Sequence, residues 1–336
     1  MASTLTTNFA HFQIPLEDVQ KATDNFHHDK LITKGGSGSA YSGQLLVSMN
    51  LMKIVALRLD RKLGVRDIEF WNEISMLSDL KHTNLVSFIG FCYEKNEKII
   101  VIRQEANGSL VKHLNGPNLT SWARRLRISI GVARALSYLH HGHKRSYGVI
   151  HRNINSFTIL LDENWEPKLS GFTFSIKQPV NRMDQVVPCE PIGISGYMDP
   201  EIEKIKGASS KSDIYSFGVV LFEILCGRTA YIQNKANTFL APLAKHHYEN
   251  KTLQDIIHSD LWNQMSPFSL VKYSETAYSC LKEEGQRRPR IEYVVAQLEK
   301  ALELQLQREN IVRPRTLYCI FFFMSNTTLF PSYCYY

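Results

Sequence analysis

The chain has 336 residues, 44% of them hydrophobic, and 39 Lys plus Arg against 32 Asp plus Glu for a formal net charge of +7. This excludes a disordered or fibrous chain and leaves enough apolar mass for a large two-lobed domain. The positive excess is spread without runs of five like charges, which argues against a nucleic-acid-binding tail, and the six cysteines show neither CxxC pairs nor disulfide-scaffold density.

Reduced thiols in a cytosolic compartment fit that cysteine usage, with Cys226 in an apolar run read as core. Met1-Ala2-Ser3-Thr4 opens no signal peptide, Ala2 does not fit the myristoylation pattern, and no segment reaches the ~18 apolar residues of a membrane span.

In chain order, Pro15 suits a first helical turn, and Leu16, Val19, Ala22 and Phe26 follow at helical spacing, so a short amphipathic helix is expected. Residues 31 to 59 read as strands around a glycine-rich turn, ending in the alternating run Lys53 to Leu59, where Ile54, Ala56 and Arg58 share one face. From Ile68 to Leu80 the set Phe70, Ile74 and Leu77 marks a helix that carries Glu73 beside its buried stripe. Strand-like runs Val86 to Cys92 and Ile99 to Ile102 follow. The apolar pattern then lapses over Arg103 to Asn107, and Asn107-Gly108-Ser109 supplies turn chemistry at a lobe boundary.

The second part is mainly helical. Leu126, Ile130, Ala133, Leu136 and Leu139 form one stripe of a long helix ending near His140, and Ile214 to Leu225 is apolar all round, as in a helix at the centre of a lobe. A last amphipathic helix begins near Ile291 and runs through Leu306. Residues 317 to 336 are aromatic without periodicity, and residues 306–336 are read as a poorly ordered tail.

The chemistry concentrates in three places. Lys34-Gly35-Gly36-Ser37-Gly38 sits in a strand turn, where glycine lets backbone N–H groups approach a phosphate; alone it is equally turn chemistry. Val55-Ala56-Leu57-Arg58 resembles the kinase Val-Ala-x-Lys strand, with Arg58 in the lysine place and Glu73 its expected partner. His151-Arg152-Asn153-Ile154-Asn155-Ser156-Phe157-Thr158, followed by Ser170-Gly171-Phe172-Thr173, resembles a kinase catalytic core without its carboxylates. Asn153 stands for the catalytic Asp, Thr158 for the metal-binding Asn and Gly171 for the metal-binding Asp. An amide is no base, and loss of general-base help alone removes about 10²- to 10⁴-fold in rate. Hard Mg²⁺ seeks carboxylate oxygens, so no metal site is expected. Asp162, Glu163 and Glu166 follow on a strand-to-turn segment that offers little rescue.

The scaffold motifs are present. Gly193 to Glu201 resembles the end of an activation segment, with Glu201 expected to pair with Arg288, and Asp213-Ile214-Tyr215-Ser216-Phe217-Gly218 resembles the central helix whose Asp caps the His151-Arg152 backbone. With Phe70-Trp71-Asn72-Glu73-Ile74, His82-Thr83-Asn84-Leu85-Val86 and Asn107-Gly108-Ser109-Leu110, these residues resemble the plant receptor-like kinase (Pelle-type) family over about residues 12 to 305.

That resemblance implies an α+β, bilobal protein-kinase-like fold. It implies a small antiparallel N-lobe with one regulatory helix over 12–102, a hinge at 103–107, and a larger helical C-lobe over 108–305, preceded by an extension at 1–11. Ile102 would be the gatekeeper. Gly35, Gly36, Gly38, Ala56, Arg58, Glu73 and Leu160 would line a weak nucleotide site, binding ATP without magnesium if at all, with no cofactor required. Departures at 33, 58, 153, 155, 158, 171 and 173 set phosphotransfer in doubt and are similar to plant pseudokinases that serve as adaptors.

Two functions therefore stand: a catalytically silent signalling adaptor for an active receptor-like kinase or immune receptor, or a serine/threonine kinase of very low activity. The adaptor would be cytoplasmic, held at the inner face of the plasma membrane through its partner. Ser170, Thr173, Ser175 and Ser195 would be acceptor sites for the partner's kinase.

Overall fold

The computed structural model describes residues 7–35, 38–60, 67–115, 121–142, 144–231 and 239–324. The N-lobe opens with helix α1 (Leu16–Ala22), whose Glu17 and Asp18 lie in the first turn and whose Leu16 and Val19 are buried. A five-stranded antiparallel sheet follows: β1 (Leu31–Gly35), β2 (Gly38–Val47), β3 (Asn50–Leu59), β4 (Phe88–Glu94) and β5 (Glu97–Arg103), in the order β1-β2-β3-β5-β4.

Strand alternation divides this sheet into two apolar faces. Ile54, Ala56, Cys92, Ile99 and Val101 form a cluster with Leu16 and Val19, so α1 covers the outer face. Ala40, Val55, Ile100 and Ile102 belong instead to the main core, together with Phe70 and Ile74 of helix α2 (Asp67–Asp79). Each face is closed by one helix.

The C-lobe is built around α3 (Trp122–His141) and, beyond the short α4 (Pro200–Ile205), α5 (Ser210–Cys226). Ser209 caps α5 in a reciprocal box with Ser212, and Gly227 ends it at φ 67, a left-handed conformation in which a Cβ costs energy. Phe217, Leu221 and Phe222 have no exposed surface. Burial of each such side chain contributes about 1.5–3 kcal/mol, which makes α5 the axis of the lobe. Buried Arg125 ties α3 to that axis by donating to the Ile224 carbonyl (2.5 Å) and the Leu114 carbonyl (3.2 Å).

Helices α6 (Leu240–Glu249), α7 (Ser259–Trp262), α8 (Pro267–Cys280) and α9 (Ile291–Met324) complete the lobe. Helix α9 carries the chain past residue 306, where the sequence suggested a tail; residues 325–336 lie outside the described residues. Among the described residues no helix is long and apolar enough to cross a membrane. Cys92, Cys226 and Cys280 are buried free thiols, and Cys189 is partly exposed.

Candidate functional site

The loop at residues 151–158 lies at the lobe boundary and is shaped from below. Asp213, at the start of α5, accepts the backbone N–H groups of His151 and Arg152, each at 2.8 Å, and meets His140 Nε2 at 2.9 Å. These bonds hold Arg152 at φ 66, and the expected Asp213 cap is therefore in place. Burial lowers the His151 pKa to about 4, so its ring is neutral; Nδ1 accepts the Asn153 N–H at 3.2 Å, while Nε2 faces the Ser170 carbonyl at 3.2 Å.

The three degenerate positions meet one another. The Thr158 hydroxyl donates to the Asn153 carbonyl (2.9 Å) and the Asn155 carbonyl (3.0 Å), and Asn155 Nδ2 bonds both the carbonyl and Oδ1 of Asn153. Gly171 sits at φ +87, and a Cβ built there would lie 2.9 Å from Thr158 Cγ2 and 3.2 Å from Asn153 Nδ2. The space beside Gly171 is thus bounded by a threonine methyl and an amide. The donors left there are amide and carbonyl oxygens, weaker ligands for a hard cation than carboxylate. Asp162 Oδ1 is spent on its own turn, accepting Asn164 N at 2.8 Å and Glu166 N at 2.9 Å, and Oδ2 pairs with Lys168 at 3.3 Å.

Glu73 and Arg58 do not meet. Arg58 forks onto Glu97 of β5, Nε at 2.9 Å and Nη2 at 2.6 Å, and lies over the Phe26 ring at 4.4 Å. The expected Arg58–Glu73 pair is thus corrected, and the reason is the side of the sheet. Arg58 shares the outer face with Ile54 and Ala56, whereas Leu57 packs against the core that contains α2. Ala56, expected to touch adenine, is likewise buried under α1, and Val55 takes the inward place.

Glu73, buried and facing inward, accepts the Thr173 hydroxyl at 2.6 Å and lies beside the backbone of residues 171–173. Burial raises its pKa, and these neighbours only partly offset that. Next to it Asn72 Nδ2 donates to the carbonyls of Phe172 (3.3 Å), Thr173 (2.9 Å) and Ser175 (3.0 Å). Helix α2 is therefore fastened to residues 171–175 rather than to a cation on the sheet. Glu73 lies against this segment with Oε2 already engaged by Thr173.

Gly38 and Arg58 line a surface hollow of about 480 Å³ with Lys34, Tyr41 and Glu97. Only glycine fits at 38, because a Cβ would lie 2.3 Å from the Arg58 carbonyl oxygen. Gly35 has open space around it, and Gly36 lies outside the described residues. Leu160 is half-buried against the main core, and Ile102 is fully packed beside Val55. At the hinge Glu105 is 6% exposed, and burial raises its pKa; residue type and spacing had not marked it.

The end of the activation segment needs a second correction. Arg288 pairs bidentately with Asp199, at 2.5 and 2.7 Å, and not with Glu201. Asp199 is the α4 N-cap and is buried at the Arg288 fork, while Glu201 turns to accept the Gly285 N–H at 3.0 Å. Above it Glu223 of α5, with no exposed surface, accepts Tyr197 OH (2.5 Å), Ser156 Oγ (3.1 Å) and Ala230 N (2.8 Å) on Oε1, while Oε2 is buried without a partner. Burial pushes its pKa up to about 8.

Of the hydroxyls read as acceptor sites, Thr173 is bound to Glu73, Ser170 Oγ donates to the Thr158 carbonyl at 2.9 Å, and buried Ser175 donates to the His151 carbonyl at 3.0 Å. Ser195 is exposed. Arg152 donates to the carbonyls of Phe174 (3.0 Å) and Glu190 (2.6 Å), fixing the segment between them.

Residues 26–298 match the family model described as protein tyrosine and serine/threonine kinase. Among curated relatives from Arabidopsis thaliana, receptor-like protein kinase HERK 1 is 40% identical over 90% of this chain and 36% of its own length. Receptor-like protein kinase FERONIA is 38% identical over 92% of the chain and 34% of its own length, and THESEUS 1 is 39% identical over 89% and 35%. The chain spans about a third of the length of these relatives.

Proposed function

Because this chain belongs to the protein tyrosine and serine/threonine kinase family, we propose that it is a catalytically silent member that signals by binding: an adaptor for an active receptor-like kinase or immune receptor. The observation that carries this reading is the mutual packing of Asn153, Thr158 and Gly171, which puts a methyl and an amide where base and metal ligands are needed. The absence of a cation on Glu73 among the described residues supports it, since Arg58, in the place of the lysine that steadies the phosphates, faces outward onto Glu97.

The scaffold is compatible with such a role. Asn72, Glu73 and Arg152 hold the activation segment by bonds to its backbone and to Thr173. A partner would meet a fixed surface. Exposed Ser195 is then the candidate acceptor for the partner's kinase.

The test is a thermal-shift titration with ATP, with and without Mg²⁺, beside a radiolabelled phosphate-transfer assay on the same folded protein. Background transfer and no magnesium-dependent shift are expected. A clear magnesium-dependent shift with transfer above background would establish the other reading, a slow serine/threonine kinase.

A further inference from the structure

Residues 9–14 form a strap across one edge of the N-lobe sheet. A single 3-10 turn (Ala10–Phe12), closed by the Phe12 N–H on the Phe9 carbonyl at 2.9 Å, sets two aromatic rings three residues apart. Phe9 stacks on Trp71 of α2 at 6.4 Å between centroids and 16° between planes, and Phe12 meets Phe88 of β4 at 5.1 Å. Gln13 then bridges Phe91, and the Ile14 N–H donates to the Phe91 carbonyl at 2.8 Å, which covers the outer edge of β4. Only glycine at 90 permits this crossing, because a Cβ there would lie 2.3 Å from the Phe12 carbonyl oxygen.

The seat belongs to the core, while the strap on it is lightly held. Trp71 is 4% exposed and packs on Phe91 and Tyr93, each at 5.3 Å between centroids. No residue of the 10–12 turn is buried, and Phe9 and Phe12 are only partly so. The Trp71 indole N–H is buried without a partner, so the strap leaves one donor of its seat unsatisfied. The two residues that follow Trp71 on α2 are Asn72 and Glu73, whose side chains fasten residues 171–175. One turn of α2 therefore bears the strap on one side and the activation segment on another.

We propose that this seat is a docking site whose occupant can be exchanged. The chain's own Phe9 and Phe12 fill it in cis, a partner segment of the form Phe-x-x-Phe replaces them, and occupancy sets how firmly α2 holds residues 171–175. The chemistry of the occupant follows from the one in place: two uncharged rings three residues apart, continued by backbone that pairs with β4. Tethering gives the cis strap an effective concentration of about millimolar, so a free segment competes poorly with it. A partner gains the advantage through contacts elsewhere or by placing an oxygen on the Trp71 N–H. The seat contains none of residues 151–158, so phosphotransfer above background, which would end the adaptor reading, leaves it standing.

The probe is a fluorescent peptide of residues 7–16, titrated by anisotropy against the full chain and against its Phe9→Ala/Phe12→Ala variant, with amide exchange followed in both. The variant should bind the peptide saturably, and the parent at least about tenfold more weakly. Residues 67–79 and 171–175 should exchange at least about tenfold faster in the variant and return toward parental rates when the peptide is added, while α5 stays protected as the mark of an intact fold. Where α5 also loosens, Phe9→Ala alone is held to the same criteria. A variant that ignores the peptide, or binds equally well a peptide with both Phe changed to Ala, overturns the docking site. Parental exchange rates at residues 171–175 in the variant overturn the coupling.

Discussion

Replacing Glu223 by Gln should make the protein more stable near neutral pH and flatten its pH dependence. The carboxyl has no exposed surface, Oε1 takes all three donors, Oε2 has none, and burial holds its pKa at about 8 against 4.5 for the ordinary group. Below pH 4.5 folded and unfolded chains both carry the proton. As pH rises from there to about 8, the unfolded chain ionises while the folded one stays neutral, so the unfolded state binds fewer protons and stability falls.

At one pKa unit per 1.36 kcal/mol, the fully developed penalty is roughly 5 kcal/mol, of which about 3 kcal/mol is present at pH 7. Gln keeps the acceptor oxygen and puts its NH₂ where the neutral acid already has an unpartnered O–H, so it removes the titration and little else. His151 complicates the low-pH side. Its pKa is lowered to about 4, so it adds stability as pH rises through its unfolded value near 6.5. The useful window is therefore pH 6.5 to 8.5, measured by urea unfolding of parent and variant. The stability gap in favour of the variant should widen by roughly 2 kcal/mol across it. Parallel curves in that window would mean the carboxyl is ionised in the folded state and would refute the argument.

Gly171→Asp should not restore metal binding alone, because its Cβ meets Thr158 at 2.9 Å; a loss of about 1–3 kcal/mol in chemical denaturation is expected, smaller when Thr158→Asn is added. Magnesium-dependent nucleotide binding by the single variant would contradict this. Thr173→Val removes the hydroxyl from buried Glu73 and should cost about 1–3 kcal/mol, with faster amide exchange in residues 171–175. Unchanged exchange would show that Asn72 alone fastens that segment.

Much of this molecule can be read from residue order. Hydrophobic period placed α2, α3 and α5 to within a few residues, since each helix buries one stripe or all of its surface in a lobe whose core is continuous. Asp213 was legible only through the resemblance of its motif, since its partners, the N–H groups of His151 and Arg152, lie 62 and 61 residues away in the chain. The loss of carboxylates at 153, 158 and 171 is a matter of residue identity.

Side-chain partners over long separations were another matter. Alternation puts Arg58 on one face with Ile54 and Ala56, but only the packing of α1 and α2 on opposite sides of the sheet assigns that face to Glu97 and leaves Glu73 to Thr173. Arg288 likewise had two acids within two residues of each other, and the α4 cap geometry selected Asp199 over Glu201. Composition and period describe one segment at a time, and so they establish lobes, helices and absent chemical groups. Which charge a buried cation meets depends on the relative placement of segments tens of residues apart, and that placement is an outcome of packing.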